Sequence, residues 1–125
     1  MFIRRSITDV LMRRAKNSRC LLLTGPRQVG KSTLLKHNYP GVKYYTFDDQ
    51  VLLASATEDP KLFLKNIPKP SILDEVQYAK DLFPYIKIEC DKEERYENYY
   101  LTGSQQMKLM AKAKESLAGR VSILE

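Results

Sequence analysis

The stretch Gly25 to Ser32 combines residue types and spacing that suit the binding of phosphate groups. Its sequence is GPRQVGKS, which satisfies the pattern G-x-x-x-x-G-K-[S/T] in full. The glycines allow the backbone to curl so that successive N–H groups point inward, and a following helix adds the partial positive charge of its N-terminus. Lys31, as an exposed positive charge, would contact the β- and γ-phosphates of a nucleotide, and the Ser32 hydroxyl would bind Mg²⁺. The pattern therefore predicts a phosphate-binding loop; the alternative, a chance glycine turn before a basic helix, is disfavoured by the apolar run that precedes it.

Two adjacent carboxylates follow a second apolar run, in Ser71-Ile72-Leu73-Asp74-Glu75. The carboxyl ends of parallel strands meet at one edge of a sheet, where such sheets bind ligands. We therefore expect Asp74 to lie near the phosphate-binding loop and to hold Mg²⁺ through water. Glu75 would be the base that polarises an attacking water molecule. The alternative is a solvated acidic helix start, which the presence of an intact phosphate loop disfavours.

A third candidate group is Leu101-Thr102-Gly103-Ser104, at the end of another predicted strand. If this strand neighbours the first two, Ser104 or Thr102 could orient the water molecule or sense the γ-phosphate. The alternative for Ser104 is the N-cap of the following helix. One side chain could serve both purposes, and the sequence does not choose between Thr102 and Ser104.

The elements that must position these residues alternate between strands and helices. Short apolar runs predict strands at 20–24, 44–47, 71–74, 98–102 and 120–124. Apolar periodicity and capping residues predict helices at 7–17, 31–38, 49–56, 59–66, 82–90 and 105–117, with a charged turn at 91–97. Asp59 would cap its helix and Pro60 would occupy the first helical position. This alternation predicts a parallel sheet covered by helices on both faces.

Composition limits the class of protein. A chain of 125 residues with 43% hydrophobic and 29% charged residues indicates one globular, soluble domain. No segment approaches the about 18 apolar residues of a membrane span. The basic start, Met1 to Arg5, has no apolar stretch behind it, which argues against a signal peptide. Cys20 and Cys90 form neither a disulfide framework nor a zinc motif, so we expect free thiols and a reducing, cytoplasmic location.

The positive charge permits an anionic partner without identifying one. A net charge of +6 and a pI near 9.3 are compatible with a nucleotide, a nucleic acid or simple solubility. The tyrosines could stack on nucleic-acid bases, but strand propensity explains them better. His37 has no neighbouring ligand cluster and is expected at the surface.

The motifs resemble a prokaryotic family of AAA-type ATPases, whose members usually carry an N-terminal ATPase domain and a separate C-terminal domain. The resemblance rests on TGPRQVGKSTLL, ILDEVQYAKDLFPYIK, YYLTGSQQMKLM and ESLAGRVSILE, which occur in this order and span nearly the whole chain. It implies that Asp74 and Glu75 form Walker B, that LTGS is the sensor-1 strand and that the arginine of LAGR is Arg120. The Walker A residues it implies are Gly25, Pro26, Arg27, Gln28, Val29, Gly30, Lys31, Ser32 and Thr33.

Two features depart from that family. The segment ECDKEERYEN between a helix and a strand is more charged than expected, which leaves this loop unassigned. The chain also stops at Glu125, where family members continue. We therefore expect a single P-loop domain of a longer protein, with an N-terminal helix in residues 1–18 and a nucleotide-binding core in residues 19–125.

Arg120 precedes the last predicted strand and would lie at the opposite end of the sheet from the bound nucleotide. It can hardly reach ATP held by its own chain. Rings of AAA-type subunits present such an arginine to the neighbouring subunit, where it offsets charge on the γ-phosphate. The alternative is a surface arginine that follows a helix closed at Gly119.

We thus expect a RecA/AAA-like α/β fold, a three-layer α/β/α sandwich with a five-stranded parallel sheet in the order 5-1-4-3-2. The expected function is Mg²⁺-dependent ATP binding and hydrolysis, slow in this isolated domain, with homo-oligomers formed by the full-length protein. A P-loop kinase is the main alternative, although it has no need of a water-activating Glu75. A nucleic-acid-binding module rests only on charge and tyrosines, and a GTPase is disfavoured because the Asn-Lys-x-Asp motif is absent.

Overall fold

Five strands build the sheet in the computed structural model, which describes residues 5–25, 30–92 and 94–124, without the side chains of residues 5–7. All are parallel, and their spatial order is β2-β3-β4-β1-β5, which confirms the predicted order. The central strands are buried on both faces, as their continuous apolar runs predict. The strands are β1 (Cys20–Thr24), β2 (Lys43–Thr46), β3 (Ser71–Asp74), β4 (Tyr99–Gly103) and β5 (Val121–Leu124).

Helices cover both faces of this sheet and complete the three-layer sandwich. One face packs on α1 (Arg5–Lys16) and α2 (Lys31–Asn38), and its core includes Leu11, Leu35 and Ile72. The other face carries a larger core that includes Phe47, Phe83 and Leu101. The elements on that side are α3 (Gln50–Glu58), α4 (Pro60–Lys65), a 3₁₀ segment (Val76–Leu82), α5 (Phe83–Lys92) and α6 (Met107–Ser116).

Aspartate side chains cap the N-termini of α3 and α4, the two helices that follow β2. The Asp49 carboxylate accepts hydrogen bonds from the backbone N–H groups of Val51 and Leu52, at 2.9 and 3.2 Å. Asp59 accepts one from Leu62 at 3.1 Å, and Pro60 occupies the first turn, as predicted.

Several predicted bounds differ from the observed ones by one or two residues. Ser6 lies inside α1 and does not precede it. The segment after β3 forms 3₁₀ turns, which the sequence did not predict, and α5 starts at Phe83, one residue after the predicted start. It continues through Lys92, past the predicted turn start, because Lys92 pairs with Glu89 one turn earlier at 2.8 Å.

The predictions for the two cysteines, for His37 and for the tyrosines agree with the structure. Cys20 and Cys90 are both buried free thiols, and His37 is exposed. Four of the tyrosines lie in β2 and β4, as strand propensity indicates. Among the described residues, no helix combines the length and apolar character needed to cross a membrane.

Candidate functional site

The predicted phosphate loop joins the carboxyl end of β1 to the N-terminus of α2. Gly30 immediately precedes α2 and has a φ of +73°, a left-handed conformation that glycine adopts at little cost. Residues 26–29 lie outside the described part of the chain, so Pro26, Arg27, Gln28 and Val29 stay predictions. The strand, the glycine and the helix start stand in the arrangement that the sequence motif requires.

The Lys31 side chain reaches back to Gly25, the last described residue before the loop. Its Nζ donates a hydrogen bond to the Gly25 carbonyl at 2.8 Å, and only 5% of the residue is exposed. The expectation of an exposed lysine is therefore wrong, because the residue is buried. Ser32 is half-buried in the first turn of α2, and Thr33 is exposed beside it.

The carboxylate of Asp74 is held from both neighbouring strands at the carboxyl edge of the sheet. Tyr44 on β2 donates to Oδ2 at 2.7 Å, and Thr102 on β4 donates to Oδ1 at 2.5 Å. Burial, followed by the hydrogen bond to Asp74, raises the pKa of Tyr44 to about 12, so the phenol remains a donor. Thr46 and Ser32 act in the opposite direction and lower this pKa, so the Ser32 side chain lies near the Tyr44 phenol.

Glu75 has an unusual backbone conformation for a residue with a side chain. Its φ and ψ are 61° and 49°, in the left-handed region that costs most residues free energy. Its backbone N–H donates to the Thr102 hydroxyl at 3.0 Å, and its Oε1 accepts a hydrogen bond from Gln77 Nε2 at 2.7 Å. The chain therefore turns sharply after β3 and holds a buried carboxylate beside Asp74.

A third carboxylate joins this pair. Asp48 follows β2, and one carboxylate oxygen from each of Asp48, Asp74 and Glu75 lies within 4.8 Å of the other two. Asp48 is exposed whereas the other two are buried. Carboxylate and hydroxyl oxygens are the hard ligands that Mg²⁺ prefers, so this donor set fits the predicted cation.

Ser104 contacts the site through its backbone N–H and not through its hydroxyl. Its N–H donates to Gln77 Oε1 at 3.2 Å, while its Oγ is buried without a hydrogen-bond partner among the described residues. The alternative of a helix N-cap at Ser104 is wrong, because the residue before α6 is Gln106. Of the two candidates at the end of β4, Thr102 is the one that contacts Asp74.

Arg120 lies at the amino-terminal edge of the sheet, just before β5. Its guanidinium forms a two-pronged pair with Asp91, with Nε–Oδ1 and Nη2–Oδ2 distances of 2.9 Å each. A third hydrogen bond runs from Nη1 to the Ala118 carbonyl at 2.7 Å. The structure thus brings Asp74, Glu75 and Thr102 into contact with one another, whereas Arg120 is held at the far edge.

Sequence reasoning missed three side chains of this site. Tyr44 and Gln77 come from a strand and a 3₁₀ segment whose polar residues have no motif of their own. Asp48 carried a weak signal, because it follows a predicted strand as Asp74 does. Tyr44 and Asp48 come close to Asp74 because β2 pairs with β3, and Gln77 reaches Ser104 because β3 pairs with β4.

Comparisons with known proteins agree with this geometry. A family model described as AAA domain matches residues 17–125. The chain is 35% identical over 127 residues to an uncharacterized protein of Mycobacterium bovis, and equally to one of Mycobacterium tuberculosis. Each alignment covers 100% of this chain and 29% of the relative, so the chain spans less than a third of the length of these curated relatives.

The fold also occurs in a solved structure. The crystal structure of a DNA replication initiation factor matches with a TM-score of 0.53 and 15% sequence identity, over 96% of this chain and 44% of that one. At this identity the likeness concerns the fold alone. Because the family model covers most of the chain and the site has the loop, helix start and carboxylates described above, this protein belongs to the AAA domain family, as an AAA-type P-loop ATPase domain.

Proposed function

We propose that this domain binds ATP together with Mg²⁺ and hydrolyses it to ADP and phosphate. The observation that carries the proposal is the placement of Asp74 at the carboxyl edge of the sheet, where Tyr44 of the neighbouring strand donates to its carboxylate at 2.7 Å and Ser32, at the start of α2, lies near the same phenol. It unites a phosphate loop and a strand-end carboxylate in one site. Either feature alone also occurs outside nucleotide-binding sites.

In this proposal, different residues bind the phosphates and the cation. The N-terminus of α2 and its backbone N–H groups would attract the phosphates, and Lys31 would supply a positive charge beside Gly25. Ser32 and Asp74 would hold Mg²⁺, with Asp48 as a further oxygen ligand close by. A cation bound there would neutralise negative charge on the β- and γ-phosphate oxygens.

Glu75 is the residue that acts on water in this proposal. Its carboxylate lies beside Asp74 and is oriented by Gln77, and so it can accept a proton from water. Thr102 supports both acids at once, because its hydroxyl donates to Asp74 and accepts from the Glu75 N–H. Ser104 joins the site through its backbone.

Arg120 would serve in trans. It lies at the edge of the sheet opposite to the loop, where Asp91 holds it. We propose that, when the whole protein assembles, Arg120 leaves Asp91 and contacts the nucleotide bound by a neighbouring subunit. Its guanidinium would there offset charge on the transferred phosphoryl group.

A panel of thermal unfolding measurements tests the proposal, with ATP, ADP and GTP, each with Mg²⁺ and with EDTA. A ligand at one hundred times its Kd adds about 2.7 kcal/mol to the free energy of unfolding. We expect the largest gain with Mg²⁺ and ATP, and a smaller gain when EDTA is present.

The Asp74→Asn variant separates the metal from the nucleotide. We expect it to lose the Mg²⁺-dependent part of the stabilisation and to keep the part that persists in EDTA. Equal stabilisation of the wild type by ATP with and without EDTA would remove the cation from the proposal. No stabilisation by any nucleotide would remove the function itself.

A further inference from the structure

Gln77 is a buried polar residue that connects the two halves of the site. It is 7% exposed and lies in the 3₁₀ segment after β3. Its Nε2 donates to Glu75 Oε1 at 2.7 Å, and its Oε1 accepts the backbone N–H of Ser104 at 3.2 Å. One amide group thus spans the distance from the carboxylate to the residue that follows β4.

The chemistry of its two partners fixes the orientation of this amide. A carboxylate oxygen only accepts hydrogen bonds and a backbone N–H only donates one, so the NH₂ group must face Glu75 and the oxygen must face Ser104. A rotation by 180° would set two acceptors together and two donors together. The contact is therefore directional.

Close packing holds Gln77 against the end of β4. A Cβ atom added at Gly103 would lie 3.4 Å from Gln77 Oε1, 3.3 Å from a methyl carbon of Val76 and 2.6 Å from one of Leu109. The last distance is shorter than a normal contact, so a side chain at Gly103 would require Leu109 to move. The 3₁₀ segment consequently approaches β4 closely enough for the amide to reach Ser104.

Glu75 is held by two hydrogen bonds, one from its backbone to Thr102 on β4 and one from its side chain to Gln77, which in turn contacts Ser104 after β4. Its backbone, in the left-handed conformation, is held by Thr102 at 3.0 Å, and its side chain is held by Gln77. Without the amide, the carboxylate would keep its place on the chain but could rotate about its side-chain bonds. Gln77 therefore selects the rotamer that Thr102 cannot control.

We propose that Gln77 is a positioning residue that orients the Glu75 carboxylate and couples it to the chain at Ser104. The inference rests on the proposed function, in which Glu75 polarises the attacking water. By occupying Oε1, the Gln77 amide leaves Oε2 to face that water. A movement of the loop after β4 then reaches Glu75 through the Ser104 N–H, which explains a role for Ser104 that does not use its hydroxyl.

The Gln77→Met variant tests this assignment, because methionine keeps the length of the side chain and removes both hydrogen-bonding ends. A misplaced catalytic group costs about 100-fold in rate, so we expect kcat to fall by about that factor while the Kd for ATP stays within about twofold. Gln106→Met is the control, since Gln106 is exposed and makes no side-chain capping bond. Thermal unfolding of each variant verifies that it is folded.

A double-mutant comparison distinguishes positioning from general support of the fold. In single-turnover measurements, the Gln77→Met substitution should slow hydrolysis when Glu75 is present. It should have no further effect in a Glu75→Gln background, because it acts through Glu75. Equal slowing in both backgrounds, or wild-type turnover of Gln77→Met, would overturn the inference. Gln77→Glu is a second variant for the case that methionine unfolds the chain. It keeps the acceptor for Ser104 but sets two carboxylates together, and it should also slow turnover.

Failure of the proposed function gives a different result. Full turnover by Glu75→Gln would remove Glu75 from the mechanism, and with it the basis for a role of Gln77. Slow turnover by Glu75→Gln together with normal turnover by Gln77→Met would count against Gln77 alone.

Discussion

Thr102 on β4 donates its hydroxyl hydrogen to Asp74 on β3, with 2.5 Å between Oγ1 and Oδ1. The same oxygen accepts the backbone N–H of Glu75 at 3.0 Å. A single buried hydroxyl thereby satisfies one acid and fixes the turn that carries the other. The strand pairing of β3 with β4 is what brings these residues together.

We expect Thr102→Val to destabilise the domain by about 1–3 kcal/mol, because a buried N–H and a buried carboxylate each lose a partner. The free energy of unfolding in denaturant measures this change. Thr102→Ser, which retains the hydroxyl, should recover most of the loss and should also recover Mg²⁺-dependent binding of ATP. A Thr102→Val variant as stable as the wild type would contradict the importance of this hydroxyl.

We expect Lys31→Ala to abolish the stabilisation by ATP while the domain stays folded. The lysine is buried at 5% exposure and bonds the Gly25 carbonyl, so the variant removes both the phosphate charge and one loop contact. Lys43→Ala is a matched control at the exposed start of β2. Circular dichroism verifies folding, and thermal unfolding with ATP measures binding. A wild-type ATP shift in Lys31→Ala would refute the phosphate-loop assignment.

Glu75→Gln should separate binding from chemistry. We expect Mg²⁺ and ATP to bind as in the wild type and phosphate release to slow by about 10² to 10⁴-fold, the usual contribution of a general base. Glutamine retains an oxygen that can accept the Gln77 hydrogen bond, so the local structure should persist. Unchanged phosphate release would exclude Glu75 as the base.

For Arg120, we expect slow hydrolysis whose specific activity rises with protein concentration, because the arginine can serve only a neighbouring subunit. Arg120→Ala should remove that rise, and Asp91→Asn, which frees the guanidinium from its pair at 2.9 Å, should increase it. The measurement is specific activity over a dilution series. If activity is independent of concentration and of both substitutions, Arg120 is a structural partner of Asp91 alone.

Acid should weaken the fold through Glu89. Burial raises the pKa of this carboxyl, but hydrogen bonds and charges from Lys92 and Lys69 outweigh it and lower the pKa below its ordinary value of 4.5. A lowered folded-state pKa stabilises the protein above pH 4.5, and this stabilisation is lost as the pH falls through the folded value.

We therefore expect Glu89→Gln to lose less free energy of unfolding than the wild type when the pH is lowered from about 6 to about 3, the range in which native carboxyls become protonated. Glu115→Gln, at an exposed position of α6, is the control and should follow the wild type. Parallel acid curves for all three proteins would show that the Glu89 pairs do not contribute to stability.

The sequence by itself determined the framework of the site. Strands buried on both faces appear as continuous apolar runs, so residues 20–24 and 71–74 were predicted with their observed bounds. The glycine pattern predicted the position of the phosphate-binding loop. Asp74 and Glu75, at the end of the second apolar run, predicted the carboxylates of the site. These features are local in sequence, because they depend on burial and backbone conformation within a few residues.

Only the tertiary structure decided which hydrogen bonds hold the carboxylates of the site. Tyr44, Asp74 and Thr102 stand on three different strands, and their hydrogen bonds exist because sheet register aligns the strand ends. Gln77 depends on a 3₁₀ segment that lacks helical periodicity, and Arg120 on Asp91, which lies 29 residues away. A hydrogen bond between such residues requires atoms placed to within a few tenths of an ångström, and only the packing of the whole sheet supplies that placement.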